Sequence, residues 1–329
     1  MSEPKNHWAT ASDVARLAGV SRSAVSRTFT PGASVSDKTR RRVEAAAAEL
    51  NYQVNEIARS MITGNSNFIG LVTAGFDNPF RSKLLTPLVH HLALRGFMPL
   101  LLNADDPKQL EPRLRELLSY HVAGVILTSG APPLSLAQEY LARRIPVTLI
   151  NRQAELPGAD QVCSDNAQGA RLAAKHLIGM GVLTPGFIGE SPAHFSTRQR
   201  HDAFSHALAQ CGLECAAYFG ATGGYQAGWE AAAALTARLP RLDGLFCATD
   251  MLAMGAMDYL QCHGLRSHVV MVGFDDIPQA DFAAYRLTTL RQDTECLGRT
   301  AVELLMNRVD CFDCPAQQRV VPVELIVRQ

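Results

Sequence analysis

Apolar positions change rhythm once along this chain. From Thr10 to about residue 50 they recur at helical spacing, and from Phe68 onward they form short unbroken runs separated by amphipathic stretches. In the first region Thr10 and Asp13 form a capping-box-like start. Val14, Leu17 and Ala18 share one helix face, and Gly19 supplies the freedom a sharp stop needs. Ser21 caps a second helix from Arg22 to about Phe29, with Val25 and Phe29 inward and Arg22, Ser23, Ser26 and Arg27 outward. Ser36 caps a third helix whose stripe is Val43, Ala46, Ala47 and Leu50. In the second region, predicted strands at 68–72, 99–103, 124–127, 147–150, 186–189, 244–247, 269–272 and 288–291 alternate with predicted helices. The helices fall near 80–95, 108–120, 135–144, 166–180, 196–211, 226–237, 250–263 and 294–307, and a last strand covers 320–327. Continuous apolar strands separated by helices imply parallel sheets covered on both faces, and this many strands imply two doubly wound lobes. The fold class is therefore α/β, a small helical headpiece on a two-lobed body with parallel sheets.

The two lobes have an internal echo. Val122 to Thr128 and Leu242 to Thr249 each read as a turn glycine, a buried strand and a threonine at its carboxyl end. In open α/β sheets, ligands sit at such strand ends. The headpiece pattern of two short helices and a tight turn is helix-turn-helix grammar, in which the second helix lies in a DNA major groove.

Charge adds a little. The 329 residues are neutral overall, but residues 1–63 carry nine Lys/Arg against six Asp/Glu, so a mildly basic headpiece sits on a mildly acidic body. No run of 18 apolar residues suggests a membrane span, and the N-terminal stretch lacks a secretory apolar core, so a cytoplasmic location is expected. The eight cysteines are scattered, and free thiols are expected in a reducing compartment. Cys311 and Cys314 form a CxxC without a second pair to complete a zinc site, and read as a C-terminal loop. Gly179-Met-Gly181 lacks the third glycine and acidic partner of a dinucleotide fingerprint, and no nucleophile elbow, Walker A or zincin motif is present. No catalytic residue, metal site or cofactor is expected.

The ordered pattern from Thr10 to Met61 reads T-x-x-D-V-A-x-x-A-G-V-S-x-x-x-V-S-R, then V-S-x-x-T-R-x-x-V, then L-x-Y-x-x-N-x-x-A-R-S. It resembles the LacI/GalR family of bacterial transcription regulators. The body resembles that family's effector domain, which shares its fold with periplasmic sugar-binding proteins. Matching pieces are Asn78-Pro79-Phe80, Asp165-Asn166, Arg200, Thr249-Asp250, Val272-Gly-Phe-Asp-Asp276 and Leu287-Thr-Thr-Leu-Arg-Gln292. The resemblance implies a headpiece with hinge over 1–63, the hinge helix near 55–61, and an effector and dimerisation domain over 64–329. It implies an N-lobe of about 66–164 with 293–320, and a C-lobe of about 165–292 with 321–329.

The resemblance also implies roles. Arg22, Ser23 and Arg27 fall on base-reading positions, Arg22 alternatively contacting phosphate. Thr10, Ser26 and Asn55 fall on phosphate positions, and Ala58 and Met61 belong to the hinge, where Met61 replaces the usual leucine wedge and Val54 the usual proline. Effector positions fall on Phe80, Arg81, Asp165, Gln168, Ser196, Arg200, Thr249, Asp275 and Gln292, with Tyr225 or Trp229 as stacking candidates. Asp275 and Asp250 are equally readable as helix caps. Arg81, Arg200 and nearby Arg152, Arg198 and His194 suggest an acidic effector such as a sugar acid or sugar phosphate. A neutral sugar is the direct alternative, since the same residues bind hydroxyls. The expected partners are double-stranded operator DNA with a pseudo-palindromic site, a small sugar-type effector and a second copy of the chain. With no heptad helix after the last strand, a homodimer is expected. A solute-binding protein without a DNA role fits the body but leaves the headpiece unexplained.

Overall fold

The computed structural model describes residues 8–30, 32–54, 66–73, 75–104, 107–128, 134–152 and 156–328. The chain divides into two compact units, Met1–Ser66 and Asn67–Gln329.

The first unit holds α1 (Ala11–Ala18), α2 (Arg22–Thr28) and α3 (Asp37–Glu49). Each begins on a hydroxyl cap, and α1 has a full capping box between Thr10 and Asp13. Gly19 ends α1 at φ 61°, in the left-handed region where a Cβ is unfavourable. Val14, Ala15, Ala18, Val25, Val43, Ala46 and Ala47 form the core, with Phe29 and Tyr52 packed against it. Leu17 departs from the expected face: it is 46% exposed, and the smaller Ala15 takes the buried place.

The second unit contains two six-stranded sheets. Its elements in order are β1 (Phe68–Thr73), α4 (Pro79–Ala93), β2 (Met98–Asn103), α5 (Pro107–Ser119), β3 (Gly124–Leu127), α6 (Leu134–Ala142), β4 (Val147–Ile150) and β5 (Asp160–Ser164). Then come α7 (Asn166–Gly179), β6 (Pro185–Gly189), α8 (Phe195–Ala209), β7 (Ala216–Phe219), α9 (Tyr225–Arg238), β8 (Gly244–Cys247) and α10 (Asp250–Cys262). The unit closes with β9 (Val270–Asp275), β10 (Thr288–Gln292), α11 (Thr294–Asp310), β11 (Gln318–Val321) and β12 (Val323–Ile326). The sheet orders are β11-β5-β4-β3-β1-β2 and β12-β10-β9-β8-β6-β7. All pairings are parallel except β10 with β12. The chain passes between sheets after β5, after β10 and at Pro322, between β11 and β12.

The sequence pattern did not show β5 or β7. β5 is Asp-Gln-Val-Cys-Ser, too polar to read as a strand, and β7 is a half-buried edge of four residues. The single strand expected at 320–327 is two strands, because Pro322 separates the segment on one sheet from the segment on the other. No helix among the described residues is long and apolar enough to cross a membrane.

α9 and α10 approach closely because both carry glycine at their crossing. A Cβ at Gly255 would lie 1.9 Å from the Tyr225 carbonyl oxygen, and one at Gly228 would lie 2.0 Å from that of Leu252. Backbone cannot yield as a flexible side chain can, so Gly255→Ala is expected to destabilise the chain by about 2–3 kcal/mol. Urea unfolding would show this as a lower midpoint, and an unchanged midpoint would contradict the packing.

Candidate DNA-reading face and effector cleft

The buried side of α2 is Val25 and Thr28, whose hydroxyl donates to the Ala24 carbonyl at 2.8 Å. Arg40 of α3 donates to the Thr28 carbonyl at 2.9 Å, fixing the end of α2 against the third helix. Arg22, Ser23, Ser26 and Arg27 are all left exposed on the opposite side. This face presents two guanidinium groups and two hydroxyls on a helix anchored at both ends, the donor set that reads guanine edges and holds phosphates. Thr10 is engaged locally, since its hydroxyl donates to Asp13 at 2.7 Å and accepts from the Asp13 amide. Asn55, Ala58 and Met61 lie outside the described residues.

The candidate effector cleft is built from strand ends of both sheets. Gln292, at the end of β10, is its crosspoint. Its Nε2 donates to Asp275 at 2.7 Å, while its Oε1 accepts from Asn151 Nδ2 at 2.9 Å and Ser164 Oγ at 2.5 Å. Asn151 follows β4 and Ser164 ends β5, so one glutamine ties the first sheet to the second. Ser196 adds a bond from its hydroxyl to the Asn151 carbonyl at 3.4 Å.

Arg200 occupies the centre of the second lobe's side. Its Nε donates to Asn166 at 2.8 Å, its Nη1 donates to the Ala248 carbonyl, and its guanidinium lies 3.4 Å from the centroid of the Phe274 ring. Full burial pulls its pKa down to about 10, opposed by the charges of Asp275, Glu190 and Asp250. Burial pushes the Asp275 carboxyl up to about 8, against Arg200 and the Gln292 hydrogen bond. Asp275 and Asp276 hold φ of 124° and 55°, a strained turn at the end of β9 of the kind that clusters at ligand sites.

Arg81, on α4 of the first lobe, acts electrostatically on Glu190, His194 and Asp275. Glu190 follows β6, and its carboxylate lies 3.1 Å from His194 Nδ1. Burial would raise Glu190, but His194, Arg81 and Arg200 outweigh it and hold the carboxyl below its usual range. The same bond to Glu190 raises His194.

Asp275 also gives a pH signature. Its folded pKa is raised, so its contribution to stability is complete below the ordinary carboxylate pKa of about 4 and is lost as pH rises through about 8. Wild-type protein should therefore lose stability relative to Asp275→Asn between pH 5 and 8. Melting temperatures across that range would show a widening gap, whereas a constant gap would contradict it.

Other expected cleft residues have local duties. Asp165 caps α7 through the Gln168 amide at 2.8 Å, and Gln168 Oε1 accepts from the Val323 amide at 3.3 Å. Thr249 caps α10 and donates to the Gly223 carbonyl. Phe80 is buried in the first lobe's core. Asp250 is not the cap of α10 but its first residue, fully buried and accepting from Ile277 N and Thr289 Oγ1. Tyr225 donates to Asp258 at 2.6 Å, and Trp229 packs against Tyr259 and His263, so contacts within the second lobe account for both rings. Asn151, Ser164 and Glu190 join the site without having stood out in the sequence. Their signal is position, since each ends or immediately follows a strand in the cleft-facing series.

The comparisons bear on both units. Residues 10–55 match the model of bacterial regulatory proteins of the lacI family, and residues 174–329 match a periplasmic binding protein-like domain. The chain is 33% identical to the ribose operon repressor of Bacillus subtilis, over 91% of each chain. The chain belongs to the LacI family of bacterial transcription regulators. It is 27% identical to a PurR transcriptional repressor of Mannheimia succiniciproducens, over 98% of each. It also resembles the lac repressor dimer bound to operator and an anti-inducer, at TM-score 0.87, 25% identity and 98% coverage of each chain. A transcriptional regulator CelR–cellobiose complex matches at TM-score 0.74 and 27% identity, over 97% of this chain and 99% of that one. As a LacI-family member the chain is a regulator and not an enzyme, and its architecture is the helix-turn-helix headpiece with a two-lobed periplasmic-binding-like body.

Proposed function

We propose that the chain is a cytoplasmic repressor that binds a pseudo-palindromic operator as a homodimer and changes its grip when a sugar enters the cleft. In this reading residues 1–63 are the headpiece and hinge, and residues 64–329 bind effector and dimerise. The observation that carries it is the pairing of two features in one chain: an anchored α2 with an exposed polar face, and a cleft whose lobes are joined by polar bonds a ligand would displace or recruit. Arg22, Ser23 and Arg27 would read bases, and Thr10, Ser26 and Asn55 would hold phosphates. Ala58 and Met61 keep the hinge role that the family resemblance implies.

A homodimer is supported by the edge of the first sheet. β2 is an edge strand with Met98 and Leu101 exposed, and Val89 and Leu94 are exposed on and just beyond α4. A single-copy protein gains nothing from such an apolar edge, whereas a twofold partner covers it. The relatives add that repressors of this plan include one seen as a dimer on its operator.

For the effector, the mixed hydrogen-bonding groups favour a neutral polyhydroxylated sugar. Arg200 already faces Asp275, Glu190 and Asp250, and Arg81 faces Glu190 and Asp275. Glu190 is the carboxylate held ionised beside these two arginines, burial favours the neutral form of Asp275, and Asp275, Asn151, Gln292 and Arg200 offer the mixed donors and acceptors that hydroxyls need. Names among the relatives point the same way, to ribose and cellobiose. A thermal-shift panel of neutral sugars, sugar acids and sugar phosphates tests this. A ligand at 100 times its Kd should stabilise the protein by about 2.7 kcal/mol. Neutral sugars alone should shift melting, while a shift confined to acids or phosphates would overturn the neutral reading and support the acidic one.

A further inference from the structure

The loop after α11 carries chemistry that neither DNA nor sugar binding uses. Cys311 and Cys314 are joined by a disulfide, which corrects the expectation of free thiols throughout, and both residues are exposed. The loop is held from two sides by groups other than sulfur. Arg308, in the last turn of α11 and buried, pairs with Asp160 of β5 through Nε at 2.6 Å and Nη2 at 2.9 Å. Its remaining donors reach the carbonyls of Phe312 at 2.8 Å, Cys314 at 2.9 Å and Pro315 at 3.2 Å. On the outer side Arg144 binds Asp313 through both terminal nitrogens, at 3.1 and 2.8 Å, and lies 4.7 Å over the Phe312 ring.

None of these clamps is made through sulfur. The reduced loop would keep its two sulfurs close together at the surface, where intramolecular closure outcompetes reaction with a second molecule of thiol. The other cysteines contrast with this pair. Burial pushes the thiols of Cys163 and Cys215 up to about 11 and raises Cys247 as well, while Cys211 and Cys262 are exposed but unbonded. Accessibility and a preplaced resolving thiol coincide only at Cys311 and Cys314 among the described cysteines.

We propose that Cys311 and Cys314 form a reversible thiol–disulfide site whose co-reactant is a low-molecular-weight disulfide of the glutathione type. One cysteine thiolate attacks a sulfur of the small disulfide, breaking its S–S bond and releasing one thiolate. The second cysteine thiolate attacks the mixed disulfide, forming the Cys311–Cys314 bond and releasing the second. The cysteine pair loses two electrons, the small disulfide gains them, and the two cysteine protons end on the two released thiols. Excess small thiol runs the sequence backwards.

The test uses the full native chain, reduced, freed of reductant and equilibrated in mixtures of reduced and oxidised glutathione, then quenched with an alkylating agent and digested with trypsin. The peptide Val309 to Arg319 contains these two cysteines and no others. It should pass from doubly alkylated to unalkylated and two hydrogens lighter as the oxidised fraction rises, and return on adding reduced glutathione. Cys314→Ser should instead carry one glutathione on Cys311 and form no internal bond. A peptide that stays doubly alkylated in oxidised glutathione alone overturns the proposal. So does a native disulfide that thiol cannot reduce, because that is a fixed staple. The result is independent of whether any sugar binds.

Discussion

Replacing Arg200 by alanine is expected to lower effector affinity about 10- to 100-fold, the scale of losing a hydrogen bond made by a buried charged group. Arg200 is fully enclosed, stacked on Phe274 and bonded to Asn166 and the Ala248 carbonyl. Its charge is shared by Asp275, Glu190 and Asp250. Without it, Asp275 would move further towards the protonated form and Glu190 would lose part of what holds it ionised. Both changes remove acceptor strength from the cleft. Arg200→Lys should recover little, because an ammonium cannot lie flat on the Phe274 ring while donating in two directions. Isothermal titration with the sugar found in the panel, on variants shown to be folded by circular dichroism, checks this. Affinity within threefold of wild type in both variants would remove Arg200 from the effector site.

Arg308→Ala is expected to cost about 3–5 kcal/mol of stability, the penalty for stranding one member of a buried ion pair. Arg308 and Asp160 are 3% and 2% exposed, and Asp160 also accepts the Gln317 amide. The alanine variant would leave the carboxylate and three loop carbonyls without their shared donor. A double replacement, Arg308→Met with Asp160→Leu, should recover much of the loss, since neither charge then remains buried alone. Urea unfolding of the three proteins measures it. A single-variant loss below about 1 kcal/mol would show that water reaches the pair.

The same ion pair explains what the sequence did and did not disclose. β5 begins Asp160-Gln161, a polar start that reads as loop, and its burial depends on an arginine 148 residues further on. No local pattern carries that information. β8, and β9 up to Asp275, are by contrast unbroken apolar runs that announce themselves. In the site, Arg200, Asp275 and Gln292 are legible as polar residues beside strand ends within a family pattern. Asn151 and Glu190 occupy equivalent places just after β4 and β6, but a single polar residue after a strand looks like an ordinary turn until the sheets are brought together. Leu17 misled for another reason. Helical spacing puts it near Val14 and Ala18, yet the core closes over Ala15 instead. Cys311 and Cys314 have bonding spacing, and compartment chemistry argued against a bond that the clamped loop permits.

The proposed function requires that this chain read a twofold-symmetric DNA site and that a sugar alter the reading. Selection from a random duplex pool with the purified full-length protein, repeated with and without the stabilising sugar, tests it most directly. An enriched motif of two inverted half-sites is expected, changed in sequence by Arg22→Ala and retained to a different extent when sugar is present. Enrichment of no motif, or of one without inverted symmetry and indifferent to sugar, would contradict it.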